Sequence, residues 1–290
     1  MGRWCEVRVR FHEPPADLRR YFTSFYRVEF DCPDGPVEDA LQPEWAGLRF
    51  FDNPVIVSSI AGGDTIAGTD FTAMGPTSLP VRFQLATSRM WGIGLQPLGW
   101  ATFMDMPAHE MANRVCDGRR ESAFARFRPL ADQLTADPAR EAEELGIMAR
   151  FFAQEAPRAD AEDERILLVH QLLMDPELPD VAGLAERAGL HPRTLERLCR
   201  RAFGFAPKKL LRRQRFMRSL AQFMLDPSMK WIGAIDALYF DQSHFVRDCR
   251  EFLGMSPSEY AALDHPILTS VMRERMRVRG AAVQTLEMPR

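Results

Sequence analysis

The chain has 290 residues, 46% of them apolar and 27% charged, which suits two soluble domains rather than one core and excludes a disordered chain. Its net charge of −3 is unevenly spread: residues 1–182 hold 18 Lys/Arg against 29 Asp/Glu, whereas 183–263 hold 14 against 8 and 183–225 hold 11 against 2. An acidic front and a basic back is the asymmetry expected when only one domain meets phosphates.

The opening MGRWCEVRVRF carries charges where a signal peptide needs an apolar run, and no stretch has the length and apolarity of a membrane-spanning helix. Five scattered cysteines (5, 32, 116, 199 and 249) without a CxxC suggest neither a disulfide framework nor a zinc ribbon. The cytoplasm is the expected compartment.

An early helix is expected over 17–25. Short apolar or alternating runs at 48–51, 55–60, 81–86, 91–95 and 100–104 then read as strands. Turn signals separate them: Asp52-Asn53-Pro54, Gly62-Gly63-Asp64, Gly75-Pro76 and Pro97-Leu98-Gly99. The block 1–118 therefore reads as a sandwich or small barrel. Trp91, Trp100, Phe103 and Met104 are its candidate effector-pocket residues, against the plainer reading of such side chains as core.

From about residue 119 the periodicity becomes helical. Ala123, Phe124, Phe127, Leu130 and Leu134 mark one helix, and Asp137-Pro138 starts a second carrying Leu145, Met148 and Phe152. This hairpin, 119–155, is either a cap on the core or a dimer seam. The polar stretch 154–160 contains a proline and reads as a linker.

The decisive feature is a repeat. Residues 181–210 and 231–260 align without a gap at an offset of 50. Gly183/Gly233, Arg197/Arg247, Cys199/Cys249, Arg200/Arg250, Gly204/Gly254 and Pro207/Pro257 are identical pairs, and Leu190 tracks Phe240. Each copy parses as helix, turn, helix. His191 with Pro192 and then Asp241 are the caps of the second helices, and Gly204 and Gly254 are their ends.

Helical spacing puts Leu195, Leu198, Cys199, Ala202 and Phe203 inward, leaving Arg193, Arg197 and Arg200 outward together. In the second copy Phe245, Cys249, Phe252 and Leu253 face inward, and Ser243, Arg247 and Arg250 outward. A short helix with such a face suits the major groove. Residues 208–225 read as a connecting helix with Leu210, Leu211, Phe216, Leu220, Phe223 and Met224 buried.

The run LAERAGLHPRTLERLCRRAFGFAPKKLLRRQRF, followed by IDALYFDQSHFVRDCREFLGMSPSEY, resembles the DNA-binding region of the AraC/XylS family over about 163–263. The resemblance implies an all-α module with two helix-turn-helix units behind a β-rich domain, an α+β chain overall. It divides the chain into a regulatory domain 1–118, the hairpin 119–155, a DNA-binding domain 156–265 and a basic tail 266–290.

By position, base-edge contacts fall on Arg193, Thr194, Glu196 and Arg197 in the first unit and on Gln242, Ser243, His244 and Arg247 in the second. Arg200, Arg212, Arg215 and Arg250 fall on phosphates. The sequence departs from the family where Cys199 and Cys249 replace a core phenylalanine, Tyr239 a turn glycine and Ala261 a basic residue. PEWAGLRFF and the stretch 75–85 with 92–115 resemble, more distantly, the β-rich domains of some relatives, which bind a small effector and help dimerise.

The expected partners are double-stranded promoter DNA, RNA polymerase, a small-molecule effector and a second copy of the chain, with no cofactor, metal or membrane. The six histidines form no HxH or HxxxH pair, and GxSxG, P-loop and GxGxxG motifs are missing. The function expected is that of a transcription regulator and not of an enzyme. The alternatives are an enzymatic or protein-binding N-terminal domain tethered by the helix-turn-helix module, and a regulator governed by abundance or a protein partner.

Overall fold

The computed structural model describes residues 4–136, 141–155, 161–226, 228 and 231–289. The start of the second hairpin helix at Asp137-Pro138, and most of the linker 154–160, lie outside these.

The N-terminal domain is an antiparallel sheet of eight strands: β1 (Glu6–His12), β2 (Phe22–Asp31), β3 (Val37–Leu41), β4 (Ala46–Ile60), β5 (Thr65–Met74), β6 (Val81–Leu85), β7 (Ser88–Leu95) and β8 (Val115–Asp117). The main path runs β1-β2-β7-β4-β5-β8, while β6 joins β3 to β4. The long strand β4 pairs with β7 over its first half and with β6 over its second, and its register against β5 shifts between Phe50 and Val55. Asp52-Asn53-Pro54 is therefore a bulge within one bent strand, not a turn between two; an extra residue bends a strand and lets it serve two neighbours.

Three local expectations are corrected. The segment expected as an early helix enters β2 at Phe22, because the run Phe22–Tyr26 is buried on both faces, by the sheet and by the helix that carries Phe152. The run 100–104 falls largely in helix α1 (Pro97–Phe103), opened by a proline in its first turn. Cys5 and Cys32 form a disulfide. The β1–β2 register sets Glu6 opposite Asp31, so the next pair outward is Cys5 opposite Cys32, with Cα atoms 4.2 Å apart. A cysteine count does not reveal a pairing that depends on strand register.

Helices α2 (Arg128–Thr135) and α3 (Glu141–Glu155) follow. Leu130, Ala131 and Leu134 of α2, with Met148 and Phe152 of α3, lie in the same core as Phe22, Phe25 and Phe103. Phe152 sits 4.5 Å from Phe22 and 5.2 Å from Phe103, ring centre to ring centre. These faces cap the sheet domain of their own chain. Glu144 of α3 is buried, accepting hydrogen bonds from Arg89 and from the Trp91 indole at 2.6 Å.

The remaining helices are α4 (Ala161–Met174), α5 (Val181–Arg187), α6 (Pro192–Leu198, continuing as a π-helical turn Cys199–Phe203), α7 (Pro207–Leu225), α8 (Trp231–Ala234), α9 (Gln242–Leu253), α10 (Pro257–Ala261) and α11 (Leu268–Arg279). No helix among the described residues is long and apolar enough to cross a membrane.

The segment read as a basic tail is folded against the sheet domain. Asp39 accepts the backbone N–H groups of Ile267 at 2.9 Å and Leu268 at 2.8 Å. Gln284 receives the Trp45 N–H and donates to the Ala46 carbonyl. Gly94 makes room for it, since a Cβ there would stand 2.6 Å from the Gln284 amide nitrogen. Two of its arginines are bound inward: Arg275 is buried against Glu287 and lies 4.6 Å over the Phe11 ring, and Arg279 pairs with Glu287 at 3.2 Å, while Arg273 and Arg277 are exposed.

Candidate nucleic-acid interface

In the first unit the Asp180 carboxylate caps α5 by accepting the Gly183 N–H at 2.8 Å. The turn to α6 passes through Gly189 at φ +62, a left-handed conformation that glycine adopts without a side-chain clash. Pro192 opens α6, and the His191 ring accepts the Arg193 N–H at 3.3 Å. The helix closes at Gly204, φ +81. Leu195, Leu198, Cys199, Ala202 and Phe203 are all buried.

Arg193, Glu196, Arg197 and Arg200 are exposed, and Thr194 is half-buried. The four exposed side chains, with Arg201, share an open groove of about 440 Å³ with Pro107 and His109 of the sheet domain. Arg200 pairs with Glu196 at 3.2 Å, a solvent-exposed pair too weak to withhold the guanidinium from a phosphate.

In the second unit the Asp241 carboxylate caps α9 by accepting the His244 N–H at 2.9 Å. That hydrogen bond holds its pKa below the usual carboxylate range. Phe245, Cys249, Phe252 and Leu253 are buried, while Gln242, Ser243, His244, Arg247 and Arg250 are exposed. The helix ends at Gly254, φ +76. The thiols of Cys199 and Cys249 are both pushed up to about 12 by burial, so they stay protonated and pack as small apolar side chains.

Connecting helix α7 buries Leu210, Leu211, Phe216, Leu220, Phe223 and Met224. Its arginines divide by partner. Arg212 donates to Asp248 through Nε at 3.1 Å and to Glu251 at 2.5 Å, so its charge is already engaged by two carboxylates. Arg215 lies 5.4 Å over the Tyr239 ring. Between the units runs a second groove, of about 770 Å³, whose lining includes Lys208, Arg215, Phe240, His244 and Arg247.

Arg213, which the sequence reading passed over, is fully buried. It lies 4.0 Å over the Trp45 ring and donates to the Thr77 carbonyl at 2.8 Å. Burial lowers its pKa to about 9, which still leaves it charged at neutral pH. Leu210, Arg213, Met217 and Leu220 share one side of α7, so the helical period carried the signal even though the local sequence KKLLRRQRF reads as a solvated basic run.

The four residues proposed for an effector pocket are all buried. Trp91, Trp100, Phe103 and Met104 are core side chains; the indoles of Trp91 and Trp100 are spent on Glu144 and the Met106 carbonyl. A small cavity of about 60 Å³ lies elsewhere in the sheet domain. Tyr26, Val28, Arg49, Phe51 and Met90 line it, and Ile267, Val271 and Arg275 close it.

Residues 184–262 match the family model described as a helix-turn-helix domain. The C-terminal module is an AraC-type helix-turn-helix domain, and it follows an antiparallel-sheet domain. No curated protein matches the chain in sequence. Among solved structures, ToxT from Vibrio cholerae aligns at 9% identity over 89% of this chain and 98% of that one, with a TM-score of 0.43. The unsaturated fatty acid-bound wild-type ToxT from Vibrio cholerae strain SCE256 aligns at 9% over 89% and 94%, with a TM-score of 0.42. The AraC-like transcriptional activator CuxR aligns at 12% over 74% and 87%, with a TM-score of 0.26.

Proposed function

We propose that the two helix-turn-helix units read one continuous promoter site, with α6 and α9 each entering a major groove. The observation that carries this reading is the pair of exposed, arginine-bearing faces on two second helices whose opposite faces are buried. Arg193, Thr194, Glu196 and Arg197, and in turn Gln242, Ser243, His244 and Arg247, are assigned to base edges. Arg200, Arg250 and Arg215 are assigned to phosphates. Arg212 is reassigned as a brace between α7 and α9, because a phosphate would have to compete with Asp248 and Glu251.

A small, mostly apolar effector is assigned to the cavity beneath α11. That space holds only a few atoms while Ile267 and Val271 close it, so a larger effector requires α11 to move. The inner faces of α2 and α3 are consumed by their own core, so a homodimer would use other surfaces. RNA polymerase is the protein partner of this reading, the cytoplasm its compartment, and no catalytic step is assigned to the sheet domain.

Selection of bound fragments from random duplex DNA tests the reading. The expected result is a site with two short determinants about 10 base pairs apart. Arg197→Ala and Arg247→Ala should each cost about 1–3 kcal/mol on that site, and affinity should fall steeply with salt. Absence of any enriched sequence overturns it.

A further inference from the structure

The two copies of the repeat solve their inter-helix turn differently. In the first, Gly189 takes a positive φ and the following Leu190 is half-buried against the core. In the second, Tyr239 stands where Gly189 does, and a side chain disfavours that backbone conformation. Tyr239 instead fills the inner slot: it is buried, edge-on to Phe245 at 5.5 Å, and its hydroxyl donates to Asp248 at 2.9 Å. The neighbouring Phe240 is left outside at 91% exposure, the highest of the exposed large apolar side chains among the described residues.

Phe240 is not isolated on a neutral surface. It immediately precedes Asp241, the cap of α9, and its ring meets the His244 ring edge-on at 6.2 Å. It lines the groove between the units with Lys208, Arg215, His244 and Arg247. Over the whole lining four cations, Lys208, Arg212, Arg215 and Arg247, outnumber two carboxylates, Asp180 and Asp248, of which Asp248 is already bound by Arg212. The occupant that matches this net positive groove is therefore a polyanion with apolar features on its grooved face. In the major groove of DNA that apolar feature is the thymine methyl group.

We propose that Phe240 is a specificity-determining residue of the second unit, packing its ring on a thymine methyl beside the bases read from α9. The inference rests on the DNA-reading function proposed above. Burying one methyl group against the ring contributes about a fourfold preference for thymine over a base lacking it.

The test uses the full-length protein and the duplex obtained by selection, with each thymine of the second determinant replaced in turn by deoxyuridine, which removes only the methyl. One such replacement should weaken wild-type binding about fourfold. Phe240→Ala should lose a similar factor on the thymine duplex and become indifferent to that replacement, while Phe240→Leu keeps part of the preference. Both variants should melt at the wild-type temperature, since the side chain is in solvent.

The inference is overturned if Phe240→Ala binds like wild type, or if it remains as sensitive to the missing methyl. A selected second determinant without thymine, or a clear drop in melting temperature, overturns it as well. Wild-type DNA affinity with lost transcriptional output would assign the ring to a protein partner instead. In each case Arg247→Ala separates the conclusions: weakened binding by that variant leaves the DNA-reading function standing.

Discussion

Phe203 and Leu195 of the first unit belong to one continuous core with Trp45, Trp100 and Phe103 of the sheet domain, whereas Phe245 and Phe252 of the second unit pack with α7, α8 and α11 in a cluster of their own. The junction in the first case is a ring assembly: Trp45 lies 5.0 Å from His170 and 5.6 Å from Phe203, with the Arg213 guanidinium over its face. Similar sequence patterns therefore serve different foundations. The first reading head is placed by the sheet domain, and the second by the connecting helix and the C-terminal segment.

The largest effect expected from this difference comes from Trp45→Ala. Emptying so large a buried site costs about 3–5 kcal/mol. Unfolding followed residue by residue through amide hydrogen exchange should show lost protection in the sheet domain and in α6, with α9 holding its protection at first. Simultaneous loss in α6 and α9 would mean that the two clusters unfold as one, and the contrast between the units would then be one of packing only.

Asp248 gives the next effect. It occupies the repeat position of Leu198, and its carboxylate is buried between Tyr239 and Arg212. Asp248→Ala removes the acceptor of the Tyr239 hydroxyl and one of the two carboxylates of Arg212. It should cost about 2 kcal/mol, less than for a fully buried pair because Arg212 stays partly in solvent and keeps Glu251. The exchange of glycine for tyrosine and of leucine for aspartate is physically coupled, each residue answering the other's hydroxyl or carboxylate. The double variant Tyr239→Gly with Asp248→Leu should therefore be more stable than the sum of its single variants predicts, measured in a double-mutant cycle.

This coupling also shows what the sequence could and could not disclose. The faces of α6 and α9 were legible because a 3.6-residue period and two closing glycines determine them locally. The strand character of 48–51, 55–60, 81–86 and 91–95 was legible from their apolar runs, but Asp52-Asn53-Pro54 carried a turn signal inside what is one strand, β4. The strand β2 was not legible, since its aromatic run has no period and only the sheet decides its conformation. Nor were the roles of Arg212 and Arg213, which sit in one basic run: one faces Asp248 and the other Trp45, and both partners are distant in sequence. The same holds for Phe240, whose exposure depends on its neighbour taking the inner slot, and for a C-terminal segment whose five arginines read as solvated although Arg275 is buried.

The junction of the first unit should respond to pH through His170. Burial, and then the charge of Arg213, lower its pKa to about 3. The unfolded ring takes up a proton below about pH 6.5 and the folded ring does not, so stability is progressively lost from there downward. Between pH 7 and pH 5 the loss attributable to this residue is on the order of 1–2 kcal/mol. His170→Leu should flatten that part of the profile in urea titrations at the two pH values. An unchanged difference would show that other groups set the acid sensitivity of the junction.

The smallest effect expected isolates the turn itself. A Cβ on Gly189 meets nothing within 4 Å, so Gly189→Ala adds only the strain of a side chain at φ +62. That strain costs about 1 kcal/mol. Gly189→Asn should cost less, because asparagine tolerates the left-handed region better than alanine. Gly189→Tyr without a partner at position 198 should cost more than either, since Leu198 offers no acceptor for the hydroxyl that Asp248 binds in the second unit. If alanine and tyrosine prove equally tolerated, the turn of the first unit re-forms freely, and the outward placement of Phe240 would need a cause other than the side chain at position 239.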